Sequence, residues 1–174
     1  THRRENLGEP MRHVYQAIRD LLNDFDDIQV VFPVHKNPKV RQVVREELGD
    51  VDRVTLIDPL DYEPFANLMA KSYIILTDSG GIQEEAPALG KPVLVLRDTT
   101  ERPEAVDAGT VRLVGTDKDA VYKAAHELLH DAAAYKTMSN SVNPYGDGKA
   151  SERILQALRH EFLGDANRPN RFGK

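Results

Sequence analysis

Five short apolar runs recur along the chain, separated by segments whose apolar residues step by three or four, and this alternation restricts the possible folds more than any other feature. Residues 28–33, 73–77 and 92–96 are apolar at nearly every position and rich in β-branched side chains, as expected of strands buried on both faces. Residues 54–57 and 110–114 are weaker candidates of the same kind. Between them, Met11, Val14, Tyr15, Ile18, Leu21, Leu22 and Phe25 mark a helix, with Pro10 suited to its first turn. Val40, Val43, Val44 and Leu48 mark a second helix ended by Gly49. Phe65, Leu68 and Met69 mark a third, and Val121, Ala124, Ala125, Leu128 and Leu129 a fourth. A last helix is expected over 151–162, after a Gly146-Asp147-Gly148 turn. Strands alternating with helices predict an α/β fold, a three-layer α/β/α, Rossmann-like parallel sheet.

The 174 residues suit one domain, expected over 1–163, with 164–174 as a loose C-terminal tail. The abrupt polar start at Thr1 is expected of a chain cut from something longer. A composition of 40% hydrophobic and 29% charged residues supports a packed core. The net charge of -5 argues against nucleic-acid partners, which require a clustered positive face. Without cysteine there is neither a disulfide framework nor a thiolate metal site. No apolar run reaches the ~20 residues that span a bilayer. A cytoplasmic protein without a membrane partner is expected.

The stretch Thr77-Asp78-Ser79-Gly80-Gly81-Ile82-Gln83-Glu84-Glu85 follows a predicted buried strand and opens a helix. Two glycines admit a ligand close to the backbone, Ser79 adds a hydroxyl, and the helix N-terminus presents free N–H groups with partial positive charge. Those features outline a phosphate cradle, and Glu84 or Glu85, one turn on, are candidates to accept from a ribose. A tight turn whose glycines serve only packing is the plain alternative. Pro87 is expected to kink or end the helix after its first turn.

Three further polar clusters lie at the carboxyl side of predicted strands or ahead of a helix. Thr1-His2-Arg3-Arg4-Glu5-Asn6 offers an imidazole and guanidinium groups, with a solvated terminus as the alternative. Pro33-Val34-His35-Lys36-Asn37-Pro38 and Thr99-Thr100-Glu101-Arg102-Pro103-Glu104 follow strands, where ligands bind in open α/β sheets. A loop ion pair to Glu101 or Glu104 is the alternative for Arg102. His126-Glu127-Leu128-Leu129-His130 matches a zinc-protease pattern, yet Val121, Ala125, Leu128 and Leu129 share the buried face and leave both histidines pointing to solvent. No metal site is expected.

In their order and spacing, these four polar motifs strongly resemble the bacterial non-hydrolysing UDP-N-acetylglucosamine 2-epimerases, over nearly the whole chain. The resemblance implies the C-terminal half of a two-domain, glycosyltransferase-B type fold, the N-terminal domain being absent from this chain. It implies interconversion of UDP-N-acetylglucosamine and UDP-N-acetylmannosamine through elimination and re-addition of UDP, with no metal or redox cofactor, for bacterial cell-surface polysaccharide precursors. Carried over by position, Ser79, Gly80 and Gly81 would bind the diphosphate, Glu85 the ribose, and the loop around Phe65 the uracil. His2 would lie at the leaving group as the catalytic residue, with Arg102 nearby. Arg3 and His35 would help to hold a second UDP-sugar as activator. The carboxylates that move the C2 proton would belong to the other domain, so this chain alone is expected to be inactive. Its independent sheet-and-helix core and polar cleft face predict a monomer, and the intact enzyme is expected to be a homodimer. The C-terminal half of a UDP-sugar glycosyltransferase, a hydrolysing epimerase and a non-catalytic nucleotide sensor remain as alternatives.

Overall fold

The computed structural model describes residues 1–169, and all five predicted strands are present, 54–57 with the expected bounds and the other four shorter than expected. Strands β1 (Val30–Pro33) and β2 (Val54–Ile57) pair in parallel, as do β3 (Ile75–Thr77), β4 (Val93–Val95) and β5 (Val111–Leu113) in that order. The ladders put Val30 beside Val54, Ile75 beside Val93 and Val93 beside Val111.

Helices intervene throughout. They are α1 (Glu9–Asp24), α2 (Pro38–Leu48), α3 (Tyr62–Lys71), α4 (Gly80–Ala88), α5 (Pro103–Asp107), α6 (Lys118–His130), α7 (Ala132–Ser139) and α8 (Ala150–Leu163), after a short 3-10 turn at Arg4–Asn6. Helices α1, α2 and α6 bury Met11, Tyr15, Val40, Val44 and Val121 against Leu96, with Phe32, Leu56 and Leu76 packed around them. Leu94 of β4 joins Leu21, Ala125, Leu128 and Met138 in an adjoining cluster. Side chains alternate along a strand, so Val93 and Val95 point to the opposite face. They are as buried as Leu94, and α4 and α5 pack on β4 and β5. Both faces are therefore covered, which is why these strands carry no polar alternation.

Three local features depart from the expected picture. Gly49 ends α2 with φ -68, outside the left-handed region; a Cβ there would lie 2.4 Å from the Arg45 carbonyl oxygen, so close approach is what requires the glycine. Pro87 sits inside α4, which runs one residue past it; near the helix end its missing N–H removes a single hydrogen bond. Arg53 has φ 66 and its guanidinium donates to the carbonyls of Phe25 (2.6 Å), Ile28 (3.1 Å) and Leu22, closing the C-terminal end of α1.

By compactness the chain divides into Thr1–Val142 and a second unit from Asn143 onward. In the second unit α8 ends at Gly164 in the left-handed conformation, and Asp165 and Arg168 bond back to His160. These residues belong to the expected tail, of which 170–174 lie outside the described residues. Ile154, Leu155, Leu158 and Phe162 of α8 are exposed. Among the described residues, no helix is long and apolar enough to cross a membrane.

Candidate functional site

Strand β3 ends at Thr77, whose hydroxyl accepts the Ser79 amide at 3.1 Å and so turns the chain sharply into α4. Ser79 caps α4 in an extended conformation without a side-chain capping bond. The amides of the first helical turn have no acceptor within the helix, so they are presented outward with the positive end of the dipole.

The glycines of this turn answer the packing alternative. A Cβ on Gly80 would meet nothing within 4 Å, and one on Gly81 would meet only Glu85 Oε1 at 3.7 Å, an ordinary contact. Neither is among the glycines with positive φ. Among the described residues, no contact or backbone angle therefore demands glycine at 80 or 81, and the space left bare is open at a helix N-terminus.

Asp78, between Thr77 and the cradle, anchors the first polar segment. Its side chain is 1% exposed, and Oδ2 accepts the backbone amides of His2 (2.8 Å) and Arg3 (2.9 Å). Arg3 Nε donates to the Asp78 carbonyl at 3.2 Å. Burial opposes ionisation of Asp78, but the amino terminus, the two backbone amides and the His2 imidazole outweigh it and hold the carboxyl below its ordinary range. His2 Nδ1 lies 3.7 Å from Asp78 Oδ1, and the His2 ring stacks on His35 with centroids 4.7 Å apart and planes 8° from parallel. Burial lowers the His2 imidazole below its ordinary value against the pull of Asp78, and His35 and Arg3 lower it further.

The same cluster gathers the loop after β4. Asn6 Nδ2 donates to the Leu96 carbonyl at 3.0 Å, and Arg97 bridges Glu101 (2.7 Å) and Glu5 (3.5 Å). Arg102 Nε pairs with Glu84 on α4, and Arg102 Nη1 donates to the Glu101 carbonyl at 3.1 Å. Glu84, one turn into the cradle helix, is therefore one carboxylate partner of Arg102. Glu84 and Glu85 are thereby distinguished: Glu84 faces the Arg102 loop, and Glu85 lies beside Gly81.

The structure thus brings His2, Arg3, His35, Ser79, Gly80, Gly81, Glu85 and Arg102 around the carboxyl ends of β1, β3 and β4. Phe65 lies in the first turn of α3, after β2. Asp78, Gln83 and Thr100 carry no expected role in the sequence, yet each holds a hydrogen bond at this site. Asp78 directly follows the apolar run 73–77, while Gln83 and Thr100 stand inside polar stretches with no periodic signal of their burial or partners. A separate open cavity of about 660 Å³ lies along α2, lined in part by Lys36, Arg41, Arg45 and Asp58. Arg41 is paired there with Asp58 at 2.5 Å. In the zinc-like motif, His126 packs on Phe25 and Tyr122 while Glu127 pairs with Arg112 at 2.5 Å.

Comparison with known proteins gives a consistent picture. A family profile described as UDP-N-acetylglucosamine 2-epimerase matches residues 1–159. The UDP-N-acetylglucosamine 2-epimerase of Bacillus subtilis (strain 168) is 57% identical over 171 residues, 98% of this chain and 45% of that protein. Its counterpart from Escherichia coli (strain K12) is 57% identical over 93% of this chain and 43% of its own length. Among solved structures, S. aureus MnaA with UDP is 53% identical, with a TM-score of 0.89 over 99% of this chain and 47% of that one. UDP-GlcNAc 2-epimerase from Neisseria meningitidis bound to UDP-GlcNAc is 49% identical, with a TM-score of 0.84 over 94% of this chain and 43% of that one. The chain spans about 45% of the length of the curated relatives it matches.

Proposed function

The chain belongs to the UDP-N-acetylglucosamine 2-epimerase family, and we propose on that premise that it forms the UDP-binding half of an enzyme interconverting UDP-N-acetylglucosamine and UDP-N-acetylmannosamine. The observation that carries this reading is the bare turn at Gly80 and Gly81, where no contact or backbone angle among the described residues demands glycine and a helix N-terminus is exposed. A diphosphate is the ligand such a turn suits, since outward amides and the dipole favour concentrated negative charge.

In this reading Ser79, Gly80 and Gly81 bind the diphosphate, Glu85 accepts the ribose hydroxyls and the region around Phe65 receives the uracil. The glycosidic C1–O bond breaks with its electrons passing to UDP while the proton at C2 is removed, giving a 2-acetamidoglucal. UDP then adds back at C1 with a proton returned to the other face of C2. The chain's share of the work is to stabilise the leaving diphosphate: amides and the Arg102 guanidinium meet charge as it develops. His2, with its lowered basicity, stands at the leaving group. Arg3 and His35 contribute to a second UDP-sugar site. Proton transfer at C2 falls to groups in the part of the relatives that this chain does not match, so the chain alone has no epimerase activity, and the intact enzyme acts as a homodimer in the cytoplasm.

The test is product analysis on the full-length protein supplied with UDP-N-acetylglucosamine and no acceptor. Interconverting epimers are expected. Release of free N-acetylmannosamine, or turnover only when a sugar acceptor is added, would overturn the assignment.

A further inference from the structure

A hydrogen-bonded chain behind the cradle joins α4 to the β4–α5 loop, and none of the roles above uses it. Gln83 is completely buried, at 0% exposure. Its Nε2 donates to the Ser79 carbonyl at 3.2 Å, and its Oε1 accepts the Thr100 hydroxyl at 2.6 Å. Thr100 Oγ1 in turn accepts the Arg102 amide at 3.0 Å. The cap carbonyl of a helix already accepts the first backbone bond, so the Gln83 side chain supplies that oxygen with a second donor.

A primary amide is expensive to bury unless its donor and acceptor are matched, and Leu would fill this interior position without that requirement. The matched bonds fix the cap of α4 and the backbone of Arg102 to one side chain. Arg102 is also held by its ion pair with Glu84, in which the two side chains are 34% and 39% exposed, and by the bond from its Nη1 to the Glu101 carbonyl. Pairs of that kind contribute little, whereas hydrogen bonds made by a fully buried amide hold their partners more firmly.

We propose that Gln83 and Thr100 are positioning residues for UDP: they set the distance between the α4 amides and the Arg102 guanidinium so that both reach one diphosphate. This inference rests on the UDP-binding reading above. It is tested by calorimetric titration of UDP into the full-length protein and its variants Thr100→Val, Thr100→Ser and Arg102→Ala, together with the Thr100→Val/Arg102→Ala pair. Thr100→Val keeps the shape and loses both bonds; it is expected to weaken UDP binding about tenfold, as for one well-placed hydrogen bond. Thr100→Ser retains the hydroxyl and stays within about twofold of wild type. In the Arg102→Ala background the Thr100→Val loss disappears, because two residues acting on one contact do not add.

Should Thr100→Val fold poorly, Gln83→Leu/Thr100→Val leaves no side-chain amide unmatched, and the same tenfold loss is expected of it. Wild-type affinity in either Val-bearing variant, or a Thr100→Val loss that persists without Arg102, would overturn the proposal while leaving the UDP reading intact. A wild-type protein that does not bind UDP would overturn both.

Discussion

Replacing Gly80 with alanine separates a glycine kept for the fold from one kept for a ligand, because the two roles predict opposite signs for stability. The added methyl would meet nothing within 4 Å, and Gly80 opens α4 without a positive φ. Where the native conformation suits alanine, losing the glycine stabilises by about 0.4–1 kcal/mol, chiefly by restricting the unfolded chain. The effect on UDP has the opposite sign if the bare turn is where the diphosphate rests. Forcing a methyl into an occupied, close-packed contact costs about 1–3 kcal/mol, which at about 1.4 kcal/mol per tenfold weakens binding by about 5- to 150-fold. Urea unfolding of Gly80→Ala should therefore show equal or greater stability while calorimetric titration shows weakened UDP binding. A variant that is destabilised, or that binds UDP like wild type, would refute the argument that ligand approach explains this glycine.

Three further outcomes follow from the geometry. Glu85→Gln should weaken UDP binding about ten- to a hundredfold by removing a charged hydrogen bond, whereas Glu84→Gln, which releases only a part-exposed pair with Arg102, should change it less than about fivefold; titration of both variants decides, and equal effects would sink the division of roles. Asp78→Asn should destabilise the fold by about 1.5–3 kcal/mol at neutral pH. Because the native Asp78 value is depressed, its stabilisation is present above the unfolded value of about 3.9 and is lost as pH falls through the native one, so unfolding curves of wild type and variant should converge below about pH 4. Leu128→Ala, at a residue with 0% exposure in the α6 core, should cost about 2–5 kcal/mol by urea unfolding with UDP affinity unchanged.

The strands and long helices were legible because burial on both faces or on one stripe leaves a period in the sequence. Residues 92–96 are apolar throughout for the same reason that β4 is covered on both sides. Helix α5 escaped because five residues hold too few turns for a period, and α7 because Ala132, Ala133 and Ala134 blur the contrast between faces. The cradle turn and the polar motifs were visible as residue types, since glycine, serine, histidine and arginine name the chemistry available.

What each motif touches was decided only by the tertiary structure. Glu84 and Glu85 are neighbours of identical chemistry, and about 100° of helix rotation sends one toward Arg102 and leaves the other beside Gly81. Asp78, seventy-five residues from Arg3, becomes the anchor of the first segment because the turn after β3 buries its carboxylate where those amides arrive. The sequence by itself determined the repertoire of elements and groups through local periodicity and side-chain chemistry. Long-range packing chose the partners, because a hydrogen bond between distant residues depends on where the sheet ends and leaves no periodic trace along the chain.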